Sequence, residues 1–283
     1  MNKAEISKAG FAAIRRSPRR LIANIQGMQK SGKTRLALTA RKPIGYIGIE
    51  IGGDEGVVDQ FIPANKDEFD GIQSVMIRVP AIQYPVDIPD GDKYDKAVSV
   101  EIVRTASEAM NQFYDAYYTS LENFATTVVD TGSDLWEILR LANFGRLEKI
   151  PTLSYTQLNR TMDKIIDDAF SYPGSVIFIH HLKEKWETFV NDKGKEQGRP
   201  SGVFDLAGYG GIKKKVQATV ELWRDDLPLD KPDEQTGRLV SFNATIIDSR
   251  HNADSMGLAF KNDFTFADIG MSIIGGSSRE DWS

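Results

Sequence analysis

The eight residues from Gly27 to Thr34, GMQKSGKT, have the spacing GxxxxGKT of a phosphate-binding loop. Glycines let the backbone wrap closely around an anion, and successive N–H groups then point at phosphate oxygens. The Lys33 ammonium would neutralise charge on the β- and γ-phosphates, and the Thr34 hydroxyl would ligate Mg²⁺. The spacing therefore predicts a site for a nucleoside triphosphate. The residues expected to contact it are Gly27, Met28, Gln29, Lys30, Ser31, Gly32, Lys33, Thr34 and Arg35.

A phosphate loop also needs an acid at the end of a nearby strand to hold the magnesium shell. Asp130 follows the apolar run TTVV, so Thr34 and Asp130 are the predicted metal residues. The alternative is that Asp130 caps the helix that begins in TGSDLW, although the hydroxyls of Thr131 and Ser133 could serve as caps instead.

Attack of water on a γ-phosphate requires a group that orients or deprotonates the water. Glu50 ends the apolar strand YIGIE and is the predicted catalytic base. Asp54 and Glu55 are competing candidates, and an ordinary acid at a strand end is the simpler reading of Glu50.

The elements that must position these residues predict an α/β fold. An apolar strand leads into the loop, and a helical segment follows it as far as Pro43. From about 96 to 123, apolar residues recur every three or four positions, which is typical of a long amphipathic helix. Continuous apolar strands alternate with helices over the first two-thirds of the chain, as in a mainly parallel sheet flanked by helices. The last strands predict an antiparallel extension at the C-terminal side.

We divide the chain into an N-terminal helix or arm over 1–19, a core over 20–270 and a flexible tail over 271–283. The tail prediction rests on its last residues, GGSSREDWS. The pair Lys193-Gly194 lies between two strand-like arms and predicts a hairpin or a mobile loop.

Composition excludes several classes of protein. The chain has 283 residues, 35 Lys and Arg against 40 Asp and Glu, and no cysteine. Zero cysteines exclude disulfides, thiol nucleophiles and Cys-ligated zinc, and the three histidines lack the spacing of a helix-borne metal site. No apolar run approaches the roughly 18 residues that a membrane span needs. A cytoplasmic protein without membrane contact is therefore expected.

The order of these features resembles the core of RecA-type recombinases: the loop GMQKSGKT, strands ending in Glu50 and Asp130, the polar-ended strand IFIHH, and the late strand ATIIDSR. The lysine in GxxKxGKT and the stretch VIFIHHLKEKW are more narrowly similar to phage-encoded nucleotide-binding P-loop proteins, which include single-strand annealing and recombination ATPases. The resemblance covers roughly residues 20 to 265. It implies a RecA-like core that hydrolyses ATP with Mg²⁺, in the bacterial cytoplasm if the chain is phage-encoded.

The resemblance also implies roles for single residues. Lys33 and Glu50 would be catalytic, and the sensor of the γ-phosphate falls on His180 or His181, where RecA has glutamine. Arg250 falls where that family carries one of two lysines that reach the ATP of a neighbouring subunit. A homo-oligomeric ring or filament with ATP at subunit interfaces follows from this.

Single-stranded DNA is the partner that the resemblance implies, with a single-strand-binding protein as a further partner. The matching segments run from Asn143 to Arg160 and from Lys183 to Arg199, and the second mixes cations with aromatic residues, a combination that binds backbone and stacks on bases. The predicted DNA-binding residues are Lys183, Lys185, Trp186, Lys193, Lys195, Arg199, Lys213, Lys214 and Lys215.

Three other functions fit the same sequence. A DNA-associated motor or loader would use the same core without annealing strands. A P-loop kinase would transfer phosphate to an acceptor, although its usual arginine-rich lid has no match here, because 183–199 holds only Arg199. A nucleotide-dependent scaffold would bind ATP and scarcely hydrolyse it.

Overall fold

The computed structural model describes residues 19–51, 71–79, 96–145, 152–190, 194, 196–228, 231–233, 237 and 239–282. The predicted N-terminal helix or arm lies almost wholly outside these ranges. Asp54, Glu55, Lys193 and Lys195 lie outside them as well.

The strands form one mixed sheet with the order β3-β2-β4-β5-β1-β7-β8-β9, and β6 pairs with β5. β1 is parallel to β5 and β7, β2 is parallel to β3 and β4, and β4 is parallel to β5. The pairs β5–β6, β7–β8 and β8–β9 are antiparallel. The strands are β1 Ile22–Gly27, β2 Ile44–Ile51, β3 Ile72–Val79, β4 Thr126–Asp130, β5 Ser175–Val190, β6 Glu196–Leu206, β7 Ala218–Asp226, β8 Val240–Ser249 and β9 Ala259–Lys261.

Helices cover both faces of this sheet. They are α1 Lys33–Ala37, α2 Lys96–Asn123, α3 Gly132–Phe144, α4 Tyr155–Ala169, α5 Ile212–Lys215 and α6 Phe266–Ile273. One hydrophobic cluster joins α2, α3, α4 and α5 to one face of the sheet, and a second joins α1 and α6 to the other. The predicted α/β fold is confirmed, with its mainly parallel sheet and its antiparallel strands on the C-terminal side. None of the described helices is long and apolar enough to cross a membrane.

The continuous apolar runs of the sequence are explained by the position of their strands. All six residues of β1 are buried, because β1 lies between two other strands and beneath helices on both faces. The helix after the phosphate loop is shorter than its sequence suggested. It ends at Ala37, and the hydroxyl of Thr39 then donates a hydrogen bond of 2.7 Å to the carbonyl of Leu36, a side-chain contact that competes with helical bonding.

The two arms on either side of Gly194 pair as antiparallel strands, which agrees with the predicted hairpin. β5 is a single strand of 16 residues, with its first six buried between β1 and β4 and its outer part largely exposed. The outer part pairs with β6, and the register shifts between Glu184 and Trp186. In the other segment matched to a DNA-binding region, 143–160, α3 runs to Phe144 and α4 begins at Tyr155, and the role of the segment in DNA binding stays a prediction.

The prediction of a flexible tail over 271–283 is wrong for the residues that the structure describes. α6 runs to Ile273, and the side chain of Trp282 is only 1% exposed. The Trp282 ring meets the Phe266 ring edge-on at 6.2 Å and lies against Gly270. A composition rich in Gly and Ser suggested disorder, but one large aromatic ring supplies enough apolar surface to attach the segment to the core.

Candidate functional site

The two glycines of the phosphate loop occupy positions that exclude a side chain. A Cβ on Gly27 would lie 2.3 Å from the carbonyl oxygen of Leu222, so only glycine lets β1 and β7 come this close. Gly32 has φ +91°, in the left-handed region that favours glycine. The loop therefore turns tightly from the end of β1 into the first turn of α1.

Lys33 is folded over its own loop. Its ammonium donates hydrogen bonds to the carbonyl oxygens of Gly27 at 3.0 Å and Met28 at 2.6 Å, and the residue is 5% exposed. Burial lowers the pKa of Lys33 to about 8, while the nearby Asp130 carboxylate opposes that shift. The cation is thus held at the loop, next to the acid predicted for the metal.

Thr34 and Asp130, the two residues predicted to hold the metal, meet directly. The Thr34 hydroxyl donates a hydrogen bond of 2.5 Å to Asp130 Oδ2, and the Tyr46 hydroxyl donates one of 2.9 Å to the same oxygen. β4, which carries Asp130, and β1, which leads into the loop, are separated in the sheet by β5. A hydroxyl and a carboxylate that converge at a phosphate loop form an oxygen donor set of the kind that Mg²⁺ prefers.

The donor set fits magnesium held by few protein ligands. In the ranges that the structure describes, no three His, Cys, Asp or Glu side chains gather into a metal-binding cluster. Mg²⁺ usually keeps several waters and binds through one or two protein groups together with substrate phosphates. Thr34 and Asp130 are therefore the described residues that would hold it.

Asp130 is not the cap of the helix that follows it. Thr131 occupies the N-cap position of α3, and its hydroxyl accepts a hydrogen bond of 3.0 Å from the backbone N–H of Asp134. The same hydroxyl donates to a carboxylate oxygen of Asp134 at 2.5 Å. Because the Thr131 hydroxyl accepts a hydrogen bond from a free backbone N–H at the start of α3, the Asp130 carboxylate is not needed as the helix cap.

The two histidines at the end of the buried part of β5 lie on opposite faces of the sheet. Ile177 and Ile179 belong to the cluster under α1, and alternation along the strand puts His181 on that side. Burial and the charge of Lys33 lower the pKa of His181, and its backbone N–H donates to Ser133 Oγ at 3.0 Å. The geometry thus separates two candidates that the sequence left open, with His181 on the side of the phosphate loop.

His180 is fully buried on the other face. Its Nδ1 lies 2.8 Å from Asn24 Oδ1, and its ring packs against Gly132 at the start of α3. Burial is the main cause that lowers the pKa of His180 to about 3, so the ring is neutral at ordinary pH. We assign it to the packing between β1, β5 and α3.

Glu50 lies near the end of β2, in register with Arg78 of β3. Two residues earlier on the same strand, Gly48 is the register partner of Asp130. Glu50 therefore lies two residues beyond the level of Asp130, at the carboxyl ends of the strands, where the phosphate loop also lies. Its role as catalytic base remains a prediction.

Arg250 lies at the opposite edge of the sheet from the phosphate loop. Its neighbour Ser249 pairs with Ala218 at the start of β7, whereas Gly27 pairs with Leu222 near its end. At about 3.3 Å per residue, the two positions are separated by about 15 Å along the strands. The exposed side chain of Arg250 is thus remote from the nucleotide site of its own chain.

The predicted DNA-binding residues divide into paired and unpaired cations. Lys185 and Lys213 pair with Asp205, Arg199 with Glu187, and Lys215 with Asp163 and Asp167. Among the described residues, the exposed side chains of Lys183 and Lys214 have no ion-pair partner. Trp186 is 71% exposed on the hairpin, and the guanidinium of Arg199 lies 5.1 Å from the centre of the Phe189 ring.

Two residues of the site were missed by reasoning from the sequence. Tyr46 orients Asp130 from β2, and the half-buried Asp134 lies close enough to His181 and Asp130 to interact electrostatically with both. Burial is the main cause that raises the pKa of Asp134. A polar-tipped tyrosine within the apolar run IGYIGI was the available signal for Tyr46, because a buried Tyr hydroxyl usually has a hydrogen-bond partner.

One family model matches the part of the chain that holds this site. The model of a family described as an AAA domain matches residues 19–223, which is most of the chain and includes the loop, Glu50 and Asp130. No curated protein sequence gives a significant match. Similar solved structures include a KaiC-like protein from the hyperthermophilic archaeon Pyrococcus horikoshii OT3, with a TM-score of 0.42 and 11% sequence identity over 85% of this chain and 84% of that one.

Proposed function

The chain belongs to the AAA domain family and is a nucleotide-binding P-loop ATPase, and from this premise we propose that it hydrolyses ATP while bound to single-stranded DNA, in the recombination or annealing of phage DNA. Lys33 binds the β- and γ-phosphates, Thr34 and Asp130 hold magnesium, and Glu50 serves as the base. His181 contacts the γ-phosphate as its sensor. Magnesium, when bound, neutralises charge on the phosphates as the terminal group is transferred to water.

The observation that carries the DNA part of the proposal is the exposed hairpin of β5 and β6. Trp186 is 71% exposed there, at the same edge of the sheet as the phosphate loop, and Lys183 and Lys185 lie on the same strand. An aromatic ring among cations suits a strand of DNA, because every base has a face that can stack. A large aromatic side chain exposed to this extent also lacks a purpose in packing the core.

The ion pairs on the hairpin do not oppose this proposal. Arg199 and Glu187 are joined at 2.6 Å and Lys185 and Asp205 at 3.1 Å, but all four side chains are roughly half exposed. Exposed pairs of this kind contribute about 0–1 kcal/mol. Phosphate groups of DNA can therefore replace the carboxylates at little cost, and binding should weaken steeply with salt.

The position of Arg250 supports an oligomer with ATP at subunit interfaces. An arginine about 15 Å along the strands from its own loop is free to approach the site of a neighbouring copy. A ring or filament would also align the hairpins of successive copies and concentrate their lysines along one axis. This arrangement compensates for the formal charge of -5 on each chain.

Phosphate release with and without single-stranded oligonucleotides tests the proposal. We expect Mg²⁺-dependent release that DNA accelerates, and its loss in both Lys33→Ala and Glu50→Gln. Trp186→Ala should weaken DNA binding by about 1–3 kcal/mol, with an almost unchanged salt dependence. Trp223→Ala is the matched control, because Trp223 is 38% exposed on β7, outside the hairpin.

Each competing function has its own outcome in this assay. Stimulation by a small acceptor instead of DNA would indicate a kinase, and slow turnover that nothing accelerates would indicate a scaffold. DNA-stimulated turnover without annealing of complementary strands would indicate a motor or loader. Absence of DNA binding at low salt would overturn the proposed partner.

A further inference from the structure

Lys30 is an exposed cation of the phosphate loop without a role in the proposed function. Residues 28–30 form the exposed apex of the loop, whereas Gly27 before them and Ser31 after them are buried. A Cβ on Gly27 would lie 2.7 Å from Ser31 Oγ, so the loop closes at the base of this apex. Within the described part of the chain, the Lys30 side chain has neither an ion pair nor a hydrogen bond. Its ammonium is therefore available to a ligand.

The backbone of Lys30 is left-handed, with φ 61°. Glycine adopts this conformation freely, whereas a residue with a Cβ is strained in it. Gly32, two residues further on, meets the same kind of requirement with a glycine at φ 91°. Backbone strain of this kind is concentrated at functional sites. A lysine at a position that suits glycine therefore indicates a role for its side chain.

Lys30 lies close to the place where the β- and γ-phosphates bind. The Lys33 ammonium, which is proposed to bind them, lies 2.6 Å from the carbonyl oxygen of Met28. Met28 and Lys30 are two residues apart in the sequence, so at most about 7 Å separates their Cα atoms. A lysine carries its ammonium on a flexible four-carbon stem, which covers a distance of this order. The terminal phosphates are therefore within reach of the Lys30 ammonium.

The site within one chain is short of positive charge. Lys33 and Mg²⁺ together carry less positive charge than a triphosphate carries negative charge, and the carboxylates of Asp130 and Glu50 enlarge the deficit. Burial and the charge of Lys33 lower the pKa of His181, so its ring is neutral at ordinary pH and contributes no charge. Arg250 of the same chain lies about 15 Å away along the strands. A further cation from the same chain would stabilise the charge that develops on the leaving group.

We propose that Lys30 is a further catalytic residue, whose ammonium contacts the γ-phosphate and the oxygen that bridges it to the β-phosphate. In hydrolysis, the oxygen of a water molecule forms a bond to the γ-phosphorus, the bond from that phosphorus to the bridging oxygen breaks, and ADP keeps the electron pair. The proton of the water passes to Glu50, the proposed base. Lys30 donates a hydrogen bond to the bridging oxygen, which gains negative charge in the transition state. The inference rests on the ATP hydrolysis of the proposed function, and not on DNA binding.

ATP hydrolysis by the full chain without DNA tests this role in three variants. Lys30→Met keeps an unbranched stem but removes the charge, Lys30→Gly removes the side chain and relieves the backbone, and Lys30→Arg keeps a cation. We expect kcat to fall by about 10²-fold in Lys30→Met and Lys30→Gly, with KM changed by less than about threefold, as when one electrostatic donor is lost. In Lys30→Arg, kcat should stay within about tenfold of the wild-type value, because a guanidinium is also charged.

Calorimetry with ADP, in the presence and absence of aluminium fluoride, gives a readout other than turnover, because the fluoride imitates the transferred phosphoryl group. Aluminium fluoride should tighten ADP binding to the wild-type chain by at least about tenfold, and Lys30→Met and Lys30→Gly should lose this gain while still binding ADP. Lys42→Met is the matched control, because Lys42 is exposed just before β2, at the opposite edge of the sheet from the loop. Melting temperatures monitor folding, and if Lys30→Met unfolds, Lys30→Gly decides, since glycine suits the left-handed backbone.

Full turnover in Lys30→Gly would overturn the inference, since it would show that the residue only shapes the loop. A raised KM with an unchanged kcat would also overturn it, because Lys30 would then bind the ground state and the transition state alike. Equal losses of kcat in Lys30→Arg and Lys30→Met would overturn the role of the charge. A wild-type chain that binds ATP without hydrolysing it would instead contradict the proposed function, and the inference with it.

Discussion

The Thr34 hydroxyl lies 2.5 Å from Asp130 Oδ2, although the two residues are 96 positions apart in the sequence. Tyr46 donates to the same carboxylate oxygen at 2.9 Å. One oxygen therefore receives a hydrogen bond from the phosphate loop and another from β2. The orientation of the carboxylate proposed to hold magnesium depends on both.

Tyr46→Phe should weaken magnesium binding without removing a ligand. Loss of the hydroxyl leaves Asp130 with one fewer restraint, and losing an outer hydrogen bond of this kind typically costs 10–100-fold in metal affinity. A magnesium titration of ATP hydrolysis would show this as a shift of the midpoint, with the rate at saturating magnesium largely preserved. Tyr155→Phe on α4 is the control. Equal midpoints for the wild type and Tyr46→Phe would contradict the role of Tyr46.

ATP binding should weaken above pH 8. The pKa of Lys33 is lowered to about 8 without nucleotide, and phosphate binding favours the charged amine, so the amine must take up a proton above this pH. Affinity should be nearly constant from pH 7 to 8 and then fall by up to about tenfold per pH unit. In Lys33→Arg the fall should disappear, because a guanidinium stays charged. Calorimetry would measure both, and a flat wild-type profile to pH 9.5 would disprove the prediction.

Stability should decrease on the acid side because of His180. The pKa of its ring is lowered from 6.5 to about 3 in the folded chain, so below pH 6.5 the unfolded chain binds a proton that the folded chain does not. The free energy of unfolding should therefore fall between pH 6.5 and 3, by up to about 1.4 kcal/mol per pH unit. Urea unfolding at several pH values would measure this slope.

His180→Gln should reduce that slope, whatever its effect on stability at neutral pH. His251→Gln is the control, since His251 is exposed. If the two variants and the wild type share one slope, His180 does not cause the acid sensitivity.

Trp282→Ala should destabilise the chain by about 3–5 kcal/mol, because it empties a space against Phe266 and Gly270. Trp186→Ala provides the comparison within the same protein. Its ring is 71% exposed, so its loss should change the melting temperature little. Thermal unfolding of both variants measures the difference, and similar melting temperatures would show that Trp282 is not part of the core.

Mixtures of Arg250→Ala and Lys33→Ala chains test the subunit interface. Each variant alone should hydrolyse ATP slowly, since an arginine that acts in trans is worth on the order of 10³ in rate. Mixed assemblies contain sites with an intact Lys33 from one chain and an intact Arg250 from the next, so part of the activity should return. No recovery at any ratio would rule out a role for Arg250 at a neighbouring site.

Local pattern was enough to predict much of the fold and the phosphate loop. The motif GMQKSGKT is contiguous, so its residue types alone predict the shape of the loop. Asp130 was predicted because acids at the carboxyl ends of parallel strands lie at the same side of a sheet. Tyr46 could not be found in this way, because its contact with Asp130 spans 84 positions and depends on β2 and β4 being neighbours. Order of strands in a sheet is set by packing between distant segments, which no short pattern records.

Other differences have simpler causes. Period-two alternation along IFIHH, followed back to Ile177 and Ile179, could have placed His180 and His181 on opposite faces. Trp282 had no pattern around it, since a single anchoring residue has no period.

The continuity of β5 has a mechanical consequence. One strand pairs with β1 and β4 along its buried half and with β6 along its outer half, and only the bulge near Glu184 interrupts the outer half. From Leu182 to Val190 the outer half reaches about 30 Å at 3.3 Å per residue, which makes it a lever with its fulcrum beside His181. A tilt of about 5° at that fulcrum moves the tip by between about 2 and 3 Å. A small displacement beside the phosphate loop would thereby be amplified at the far end of the hairpin.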